Sequence, residues 1–151
     1  MDNYPKKLKQ FLELLETLED ESQRVQLLVD YSDKYKPVPP EIAIRPYPDE
    51  TKVPFCESGA YVWTRIQKDN TPKFYIAVEN PYGISAKALS VILDRTLSGE
   101  PIEAILNISP DVIYKIFGSG LSMGKNFGLT GILMRIQSDL KKLIQEKNNT
   151  A

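Results

Sequence analysis

Apolar residues recur with a helical period over the first 35 residues of the chain. Spacings of three, four and seven predict an amphipathic first helix, whose apolar positions are Leu8, Phe11, Leu12, Leu15 and Leu18. Asp20 and Gln23 have the spacing of a capping box, which predicts a second helix that ends before Pro37. We expect the inward face of that helix to carry four side chains, namely Val25, Leu28, Tyr31 and Tyr35.

The pattern changes to strict alternation after the first third of the chain. Val62, Thr64 and Ile66 fall on one face of an extended segment, and the same alternation returns over residues 74–78. A short polar stretch that contains Pro72 separates the two segments. This arrangement predicts an antiparallel β-hairpin.

Helical periodicity returns in the second half. We expect Ser85 to cap a third, largely buried helix that ends at Gly99, and Ser109 to cap a short helix that ends at Phe117. The apolar positions of a last helix are Leu129, Ile132, Leu133, Ile136, Leu140, Leu143 and Ile144. The tail, residues 146–151, is expected to fray.

These elements predict a single α+β domain over residues 1–151, with a small antiparallel sheet packed by helices in the order ααββ(β)ααα. A chain of this length buries about 70% of its unfolded surface, so its core needs no disulfide or metal to be stable. No internal repeat divides it.

A proline-rich loop, residues 37–59, joins the helical start to the hairpin. Its prolines are Pro37, Pro39, Pro40, Pro46, Pro48 and Pro54. Each lacks an N–H group and biases the preceding residue toward extended geometry, so the loop is expected to be ordered without being helical. It either serves as a simple connector or positions Cys56, the only cysteine of the chain, near the sheet edge.

Composition restricts the chemistry of Cys56. The chain has no histidine, which excludes Cys-His catalysis, and one cysteine cannot form an intramolecular disulfide. The common zinc, haem and iron-sulfur ligand sets are missing, so no metal site is expected. The thiol is either an inert apolar residue or a nucleophile, with Lys52 and Lys125 favouring its thiolate form and Glu57 opposing it.

Charge and hydropathy restrict the partners. Interspersed acidic and basic residues give a net charge of −1, which predicts no nucleic-acid binding. The sequence has no apolar run of membrane-spanning length, and its first residues lack the apolar core of a signal peptide. We expect a protein of the reducing cytoplasm, where a free thiol survives, without a membrane partner.

The segment around the cysteine, VPFCESGAYVW at residues 53–63, resembles the signature of the SufE family. Three further segments, at residues 87–89, 97–99 and 121–129, and the last helix follow in the order and spacing of that family. The resemblance covers nearly the whole chain. It implies a SufE/IscU-like α+β fold.

The resemblance also implies a function. Cys56 would be the sulfur acceptor and activator of a SufS-like, pyridoxal-phosphate-dependent cysteine desulfurase, and would pass sulfur to iron-sulfur scaffold proteins. The chain would be a persulfide carrier that binds no cofactor itself and works with the desulfurase, as a monomer or a homodimer. The residues expected to bind the partner or support the cysteine are Phe55, Glu57, Ser58, Trp63 and Lys125.

This chain differs from the family pattern at four places, one of which is Pro81-Tyr82-Gly83 in place of the serine-and-acid stretch usual after the second strand. Phe55 stands where the family usually has glycine, at a position that favours a positive φ. Two additional residues separate Cys56 from Trp63, and a bulge or longer loop at Gly59 could accommodate them. Lys125 replaces a usual arginine, which loses forked hydrogen bonding.

Three alternatives remain open from the sequence. The chain could be a SufE-like binding or regulatory module without sulfur relay. Lys125, Asn126 and Gly128 could hold an anion at a helix start, or serve only in helix capping. A set of aromatic side chains could form a binding surface or simply pack against the helices; these are Tyr61, Trp63, Tyr75 and Tyr82.

Overall fold

The computed structural model describes residues 3–149, and in that part of the chain six α-helices pack with a two-stranded antiparallel sheet. The helices are α1 (Lys6–Glu16), α2 (Glu21–Asp33), α3 (Ile84–Leu97), α4 (Ile102–Leu106), α5 (Val112–Phe117) and α6 (Met123–Asn149). The strands are β1 (Ala60–Ile66) and β2 (Pro72–Val78). The predicted α+β class is therefore confirmed.

The hairpin separates two apolar clusters. Its register pairs Ala60 with Val78 at one end and Ile66 with Pro72 at the other. Because side chains alternate across a strand, one face of the sheet joins the main core. On that side α3 packs against β2, and α6 packs against β1. The other face carries Trp63 and belongs to a smaller cluster beneath the proline-rich loop.

The first two helices begin and end close to their predicted positions. The Asp20 carboxylate accepts a hydrogen bond from the Gln23 N–H at 3.0 Å, and the Gln23 side chain accepts one from the Glu19 N–H at 2.6 Å. The capping pair is therefore present. The inward position of Val25 was wrong, since its side chain is half exposed. Arg24 faces the neighbouring helix instead, donating from Nη1 to two carbonyls at the end of α5.

Helix α3 has many buried side chains and ends at Leu97, two residues before Gly99, whose φ of +82° stops the helix as expected. Ser85 does not cap it. The cap position is Gly83, two residues earlier, and the helix begins at Ile84, because the Gly83 carbonyl accepts its first helical hydrogen bond from the Lys87 N–H. Ser85 lies inside the first turn.

Three further features differ from the sequence prediction. The short helix α4 was not predicted, because five residues after Pro101 give too little periodicity to detect. Helix α6 begins at Met123, six residues before the apolar pattern begins. The described residues contain no third strand, although Lys52 forms an isolated antiparallel bridge with Tyr61 on the open edge of β1.

The structure describes only part of the tail, residues 146–149. Helix α6 continues to Asn149, and Thr150 and Ala151 lie outside the described residues, as do Met1 and Asp2. Fraying of residues 146–151 stays a prediction. Its test is the exchange rate of the backbone amides in that segment.

The proline-rich loop has ordered anchors at several points. Val38 is buried against Trp63, and the Tyr47 ring meets the same indole edge-on at 5.1 Å. Val53 is fully buried in the main core, and its N–H donates to the Ala60 carbonyl at 2.8 Å. The loop is therefore fixed at both clusters before the chain reaches Cys56.

Candidate functional site

The cysteine lies in a tight turn at the start of β1. The Gly59 N–H donates to the Cys56 carbonyl at 3.0 Å, and Gly59 adopts φ +65°, a left-handed conformation that glycine reaches without steric cost. Gly59 then joins the hairpin ladder, because its carbonyl accepts from the Glu79 N–H at 3.0 Å. The turn at Gly59 therefore leads the chain from Cys56 directly into the hairpin.

The turn begins with Cys56, Glu57 and Ser58, and each of these residues lies against a glycine. A Cβ built at Gly128 would lie 3.1 Å from the Cα and 3.4 Å from the Sγ of Cys56. A Cβ at Gly124 would lie 3.3 Å from the Glu57 Oε1, and one at Gly83 only 2.8 Å from the Ser58 Oγ. A glycine in a helix costs up to about 1 kcal/mol relative to alanine. Gly124 and Gly128 therefore lower the stability of α6, but they allow the turn to approach it closely.

A cavity of about 220 Å³ opens beside the thiol. Its walls come from the cysteine turn, the segment after β2, the start of α3 and the first turns of α6. Cys56 is half-buried in this wall, and Glu57, Ser58 and Lys125 line the same cavity. The structure thus brings together four of the residues that the sequence predicted for the site.

Phe55 has a left-handed backbone conformation, which glycine adopts more readily than a bulky residue. Its φ is +61°, and its side chain is 89% exposed. The chain therefore follows a left-handed path at residue 55, and the ring does not cover the thiol. A bulky residue in this region is uncommon and costs about 1–2 kcal/mol of backbone strain.

Trp63 does not reach the cavity. Its ring is buried on the opposite face of the sheet, where it packs with Tyr47 and Tyr61 under the proline-rich loop. Trp63 can support the cysteine only by anchoring the loop that leads to it. Tyr75 also packs in that cluster, whereas Tyr82 is exposed and lines the cavity.

The start of α6 is capped by its own chain. The Ser122 Oγ accepts from the Lys125 N–H at 3.2 Å, and the Ser122 carbonyl accepts from the Asn126 N–H at 3.0 Å. The Asn126 side chain accepts from the Thr130 hydroxyl at 3.0 Å. These bonds occupy amides that an anion would need, and they favour the capping interpretation of this segment.

A larger cavity, of about 360 Å³, lies between residues 34–39 after α2, strand β2 and helix α3, and of the candidate residues only Tyr75 lines it. We place the candidate site at the smaller cavity because it holds the only thiol. Among residues 3–149 there is no cluster of three or more His, Cys, Asp or Glu side chains that could hold a metal ion. Over the same residues, every helix is too short or too polar to cross a membrane.

Comparison with known protein families gives a match over most of the chain. A family model described as SufE, the Fe-S metabolism associated domain, matches residues 9–140. The chain belongs to the SufE family. The matched span contains every residue that lines the cysteine cavity.

Two similar proteins match most of this chain. The SufE-like protein 1, chloroplastic/mitochondrial, of Arabidopsis thaliana is 26% identical over 138 residues, which are 91% of this chain and 35% of that protein. This chain thus spans about a third of that relative's length. The solution structure of a hypothetical protein from Thermus thermophilus is 28% identical, covers 94% of this chain and 98% of its own, and has a TM-score of 0.71.

Sequence reasoning missed the contacts that hold this SufE-family turn in place. Arg135 of α6 donates from its guanidinium to the carbonyls of Glu50 and Lys52, while its Nε donates to the Asp139 carboxylate at 2.9 Å. One turn earlier, a Cβ at Gly131 would lie 3.1 Å from the Val53 side chain. Four positions along α6 therefore face the cysteine loop, namely Gly124, Gly128, Gly131 and Arg135.

A sequence signal for these contacts existed. Glycine at positions 124, 128 and 131 falls on one helix face at spacings of four and three. Repeated glycine on one face of an otherwise regular helix indicates close approach by another backbone. The identity of the approaching segment could not be predicted, because it depends on tertiary packing.

Proposed function

We propose that this SufE-family protein accepts sulfur on Cys56 from the persulfide of a cysteine desulfurase and activates that enzyme by doing so. The observation that carries the proposal is the position of the only thiol, half-buried in the wall of an open cavity in a chain without histidine. Thiolate exchange at sulfur is a cysteine reaction that needs neither histidine nor a metal.

The transfer balances as a simple exchange. The Cys56 thiolate attacks the outer sulfur of the partner's persulfide, R–S–SH, and a new S–S bond forms on Cys56. The S–S bond within the partner breaks, and its cysteine leaves as the thiolate R–S⁻. The product is Cys56–S–SH, with no net oxidation or reduction and no loss of a proton to solvent.

The turn supports this reaction in two ways. Contact with Gly128 covers one side of the thiol, which limits its exposure to oxidants in solvent. The cavity leaves another side open for an approaching sulfur atom. The mixed charges of Glu57 and Lys125 at this cavity can contact groups of either sign on the partner.

The remaining parts of the proposal concern the partners. The chain itself would bind no cofactor, since the pyridoxal phosphate belongs to the SufS-like desulfurase. The Cys56 persulfide would then pass its outer sulfur to an iron-sulfur scaffold protein by a second exchange. A reducing cytoplasm suits this cycle, because the acceptor thiol must be regenerated free after each transfer.

Replacing the thiol with a hydroxyl tests the proposal. Cys56→Ser keeps the side-chain shape but removes the sulfur nucleophile. We expect stimulation of the SufS-like desulfurase of the same organism to disappear, while its affinity for this protein stays within about two-fold of wild type. Stimulation that survives the substitution would contradict relay and favour a SufE-like binding or regulatory module.

A matched control separates chemistry from packing. Ser58→Ala alters the same turn without touching the thiol, and the Ser58 Oγ lies against Gly83. Because Ser58 also lines the cavity, we expect this variant to lose part of the stimulation but still to acquire sulfur on Cys56. Equal loss in both variants would show that the turn, and not the thiol, carries the effect.

A further inference from the structure

Phe55 presents a large apolar surface to solvent beside the proposed sulfur acceptor. Its ring is 89% exposed, although burying such a side chain is normally favourable. Its backbone also holds a left-handed conformation that a bulky residue rarely adopts. The folded chain alone gains no packing from this residue, and strain at such a position is often associated with function.

The backbone around Phe55 fixes the direction of the ring. Val53 is fully buried, and Pro54 follows with a restricted φ. The left-handed turn at residue 55 then separates two neighbouring side chains: Phe55 points to solvent while Cys56 packs against Gly128. Because the backbone at this position is already ordered, binding needs to order only the two side-chain dihedrals of the ring.

Other exposed apolar side chains lie near the same cavity. Tyr82 is 86% exposed, Ile84 is half exposed, and both line the cavity. On α6, Met123 and Phe127 are exposed and directly precede Gly124 and Gly128 in sequence. Exposed apolar groups of this kind are typical of protein-protein contact surfaces, and the charged side chains of Glu57 and Lys125 lie at the same cavity.

We propose that Phe55 is the anchor residue of the desulfurase-docking surface and inserts into an apolar pocket on that partner. The proposal rests on the function proposed above. Sulfur transfer requires the partner's persulfide to come within about 3–3.5 Å of the Cys56 sulfur, so the partner must cover the rim on which Phe55 stands. Aromatic side chains at the centre of an interface carry a large share of binding energy.

Truncation of the ring tests the anchor. We expect Phe55→Ala and Phe55→Gly to raise the Kd for the SufS-like desulfurase about ten-fold or more, and Phe55→Trp to stay close to wild type. The measurement is made in the Cys56→Ser background, so that affinity is recorded without sulfur transfer. A Kd for Phe55→Ala within about two-fold of that background would overturn the proposal.

Two matched controls separate docking from general surface effects. Ile66 is a partly exposed apolar residue about 20 Å from Ala60 along β1, so Ile66→Ala should leave the Kd unchanged. Asn70 is a second non-glycine residue with positive φ, at +66°, so Asn70→Gly changes backbone strain without changing the docking surface. An equal loss of affinity in either control would contradict a specific anchor at Phe55.

Sulfur loading and docking can be measured separately. At saturating desulfurase, Phe55→Ala with Cys56 intact should still acquire sulfur, since the acceptor is unchanged. If wild type binds with Phe55-dependent affinity but never acquires sulfur, the relay fails while the anchor stands. If the chain alone dimerises in sedimentation and Phe55→Ala abolishes the dimer without weakening desulfurase binding, the surface belongs to a second copy and the anchor proposal is wrong.

Discussion

The thiol of Cys56 is packed against the bare backbone of Gly128, so closely that a single methyl group there would meet both the Cα and the Sγ of the cysteine. This contact joins the proline-rich loop to the start of α6. It covers the thiol on one side. The position of the cysteine therefore depends on a residue in the last helix, far away in sequence.

Gly128→Ala should displace the cysteine turn. The new Cβ would lie 3.1 Å from the Cys56 Cα, so the turn must move by a few tenths of an ångström. Alanine adds up to about 1 kcal/mol of helix propensity, and we therefore expect α6 to persist while the thiol becomes more accessible. The rate of Cys56 alkylation by iodoacetamide should rise several-fold.

Gly120→Ala is the matched control for that experiment. A Cβ at Gly120 would meet no atom within 4 Å, so its alkylation rate should equal that of wild type. An unchanged rate in Gly128→Ala would show that contact with α6 does not restrict the thiol.

Arg135→Met should loosen the loop before the cysteine. The guanidinium donates to the Glu50 and Lys52 carbonyls, and an apolar side chain of similar length leaves both without that donor. We expect the free energy of unfolding to fall by about 1–2 kcal/mol, with faster hydrogen exchange at residues 50–56. Arg65→Met is the control, because Arg65 is exposed and donates only to the carbonyl of Thr64.

Phe55→Gly should stabilise the folded protein while weakening its docking. Glycine removes the steric cost of φ +61° but adds entropy to the unfolded chain, which leaves a net gain of about 0.5–1 kcal/mol. The measurement is the urea midpoint. Asn70→Gly should gain less, because asparagine tolerates the left-handed region better. A loss of stability in Phe55→Gly would mean that the exposed ring contributes to folding.

Ionisation of Tyr35 should lower the free energy of unfolding at alkaline pH. Burial raises the pKa of its phenol above the ordinary 10.0, although the hydrogen bond from the Val78 N–H acts in the opposite direction. Below pH 10 the phenol is neutral in both states and this contribution is constant. Above that pH the unfolded state ionises first, so the free energy of unfolding decreases until the folded state ionises as well.

Tyr35→Phe isolates this contribution. At neutral pH the variant should lose about 1 kcal/mol, because the Val78 N–H loses its acceptor at 2.9 Å. In urea titrations, the difference in the free energy of unfolding between the two proteins should shrink as the pH rises above 10, because only wild type contains Tyr35. The other tyrosines are common to both proteins and cancel in the comparison. A difference that stays constant up to about pH 11 would contradict the raised pKa.

Much of the fold could be predicted from local signals in the sequence. The hairpin followed from strict alternation, and the Asp20–Gln23 spacing placed the start of α2. Sequence patterns gave the wrong prediction where tertiary contacts determine which side chains face inward. Val25 has apolar character, yet the side of α2 facing α5 is taken by Arg24, whose guanidinium caps the carbonyls at the end of that helix.

The candidate site was predicted in part for the same reason. The motif around Cys56 identified the thiol, and the cavity brings Glu57, Ser58 and Lys125 beside it. Trp63 lies on the face of the sheet that does not border the cavity, and strand alternation alone does not tell which face the cysteine turn approaches. The helix glycines and Arg135 act on a segment far away in sequence, so their role depends on a packing arrangement that no local pattern specifies.

The most direct test of sulfur acceptance is the intact mass of the protein after incubation with the SufS-like desulfurase and cysteine. Sulfur acceptance predicts a gain of about 32 Da, located on the peptide that contains Cys56 and removed by a thiol reductant. Cys56→Ser should show no gain. An unmodified mass under conditions that load a known acceptor, or a gain that persists in Cys56→Ser, would contradict Cys56 as the sulfur acceptor.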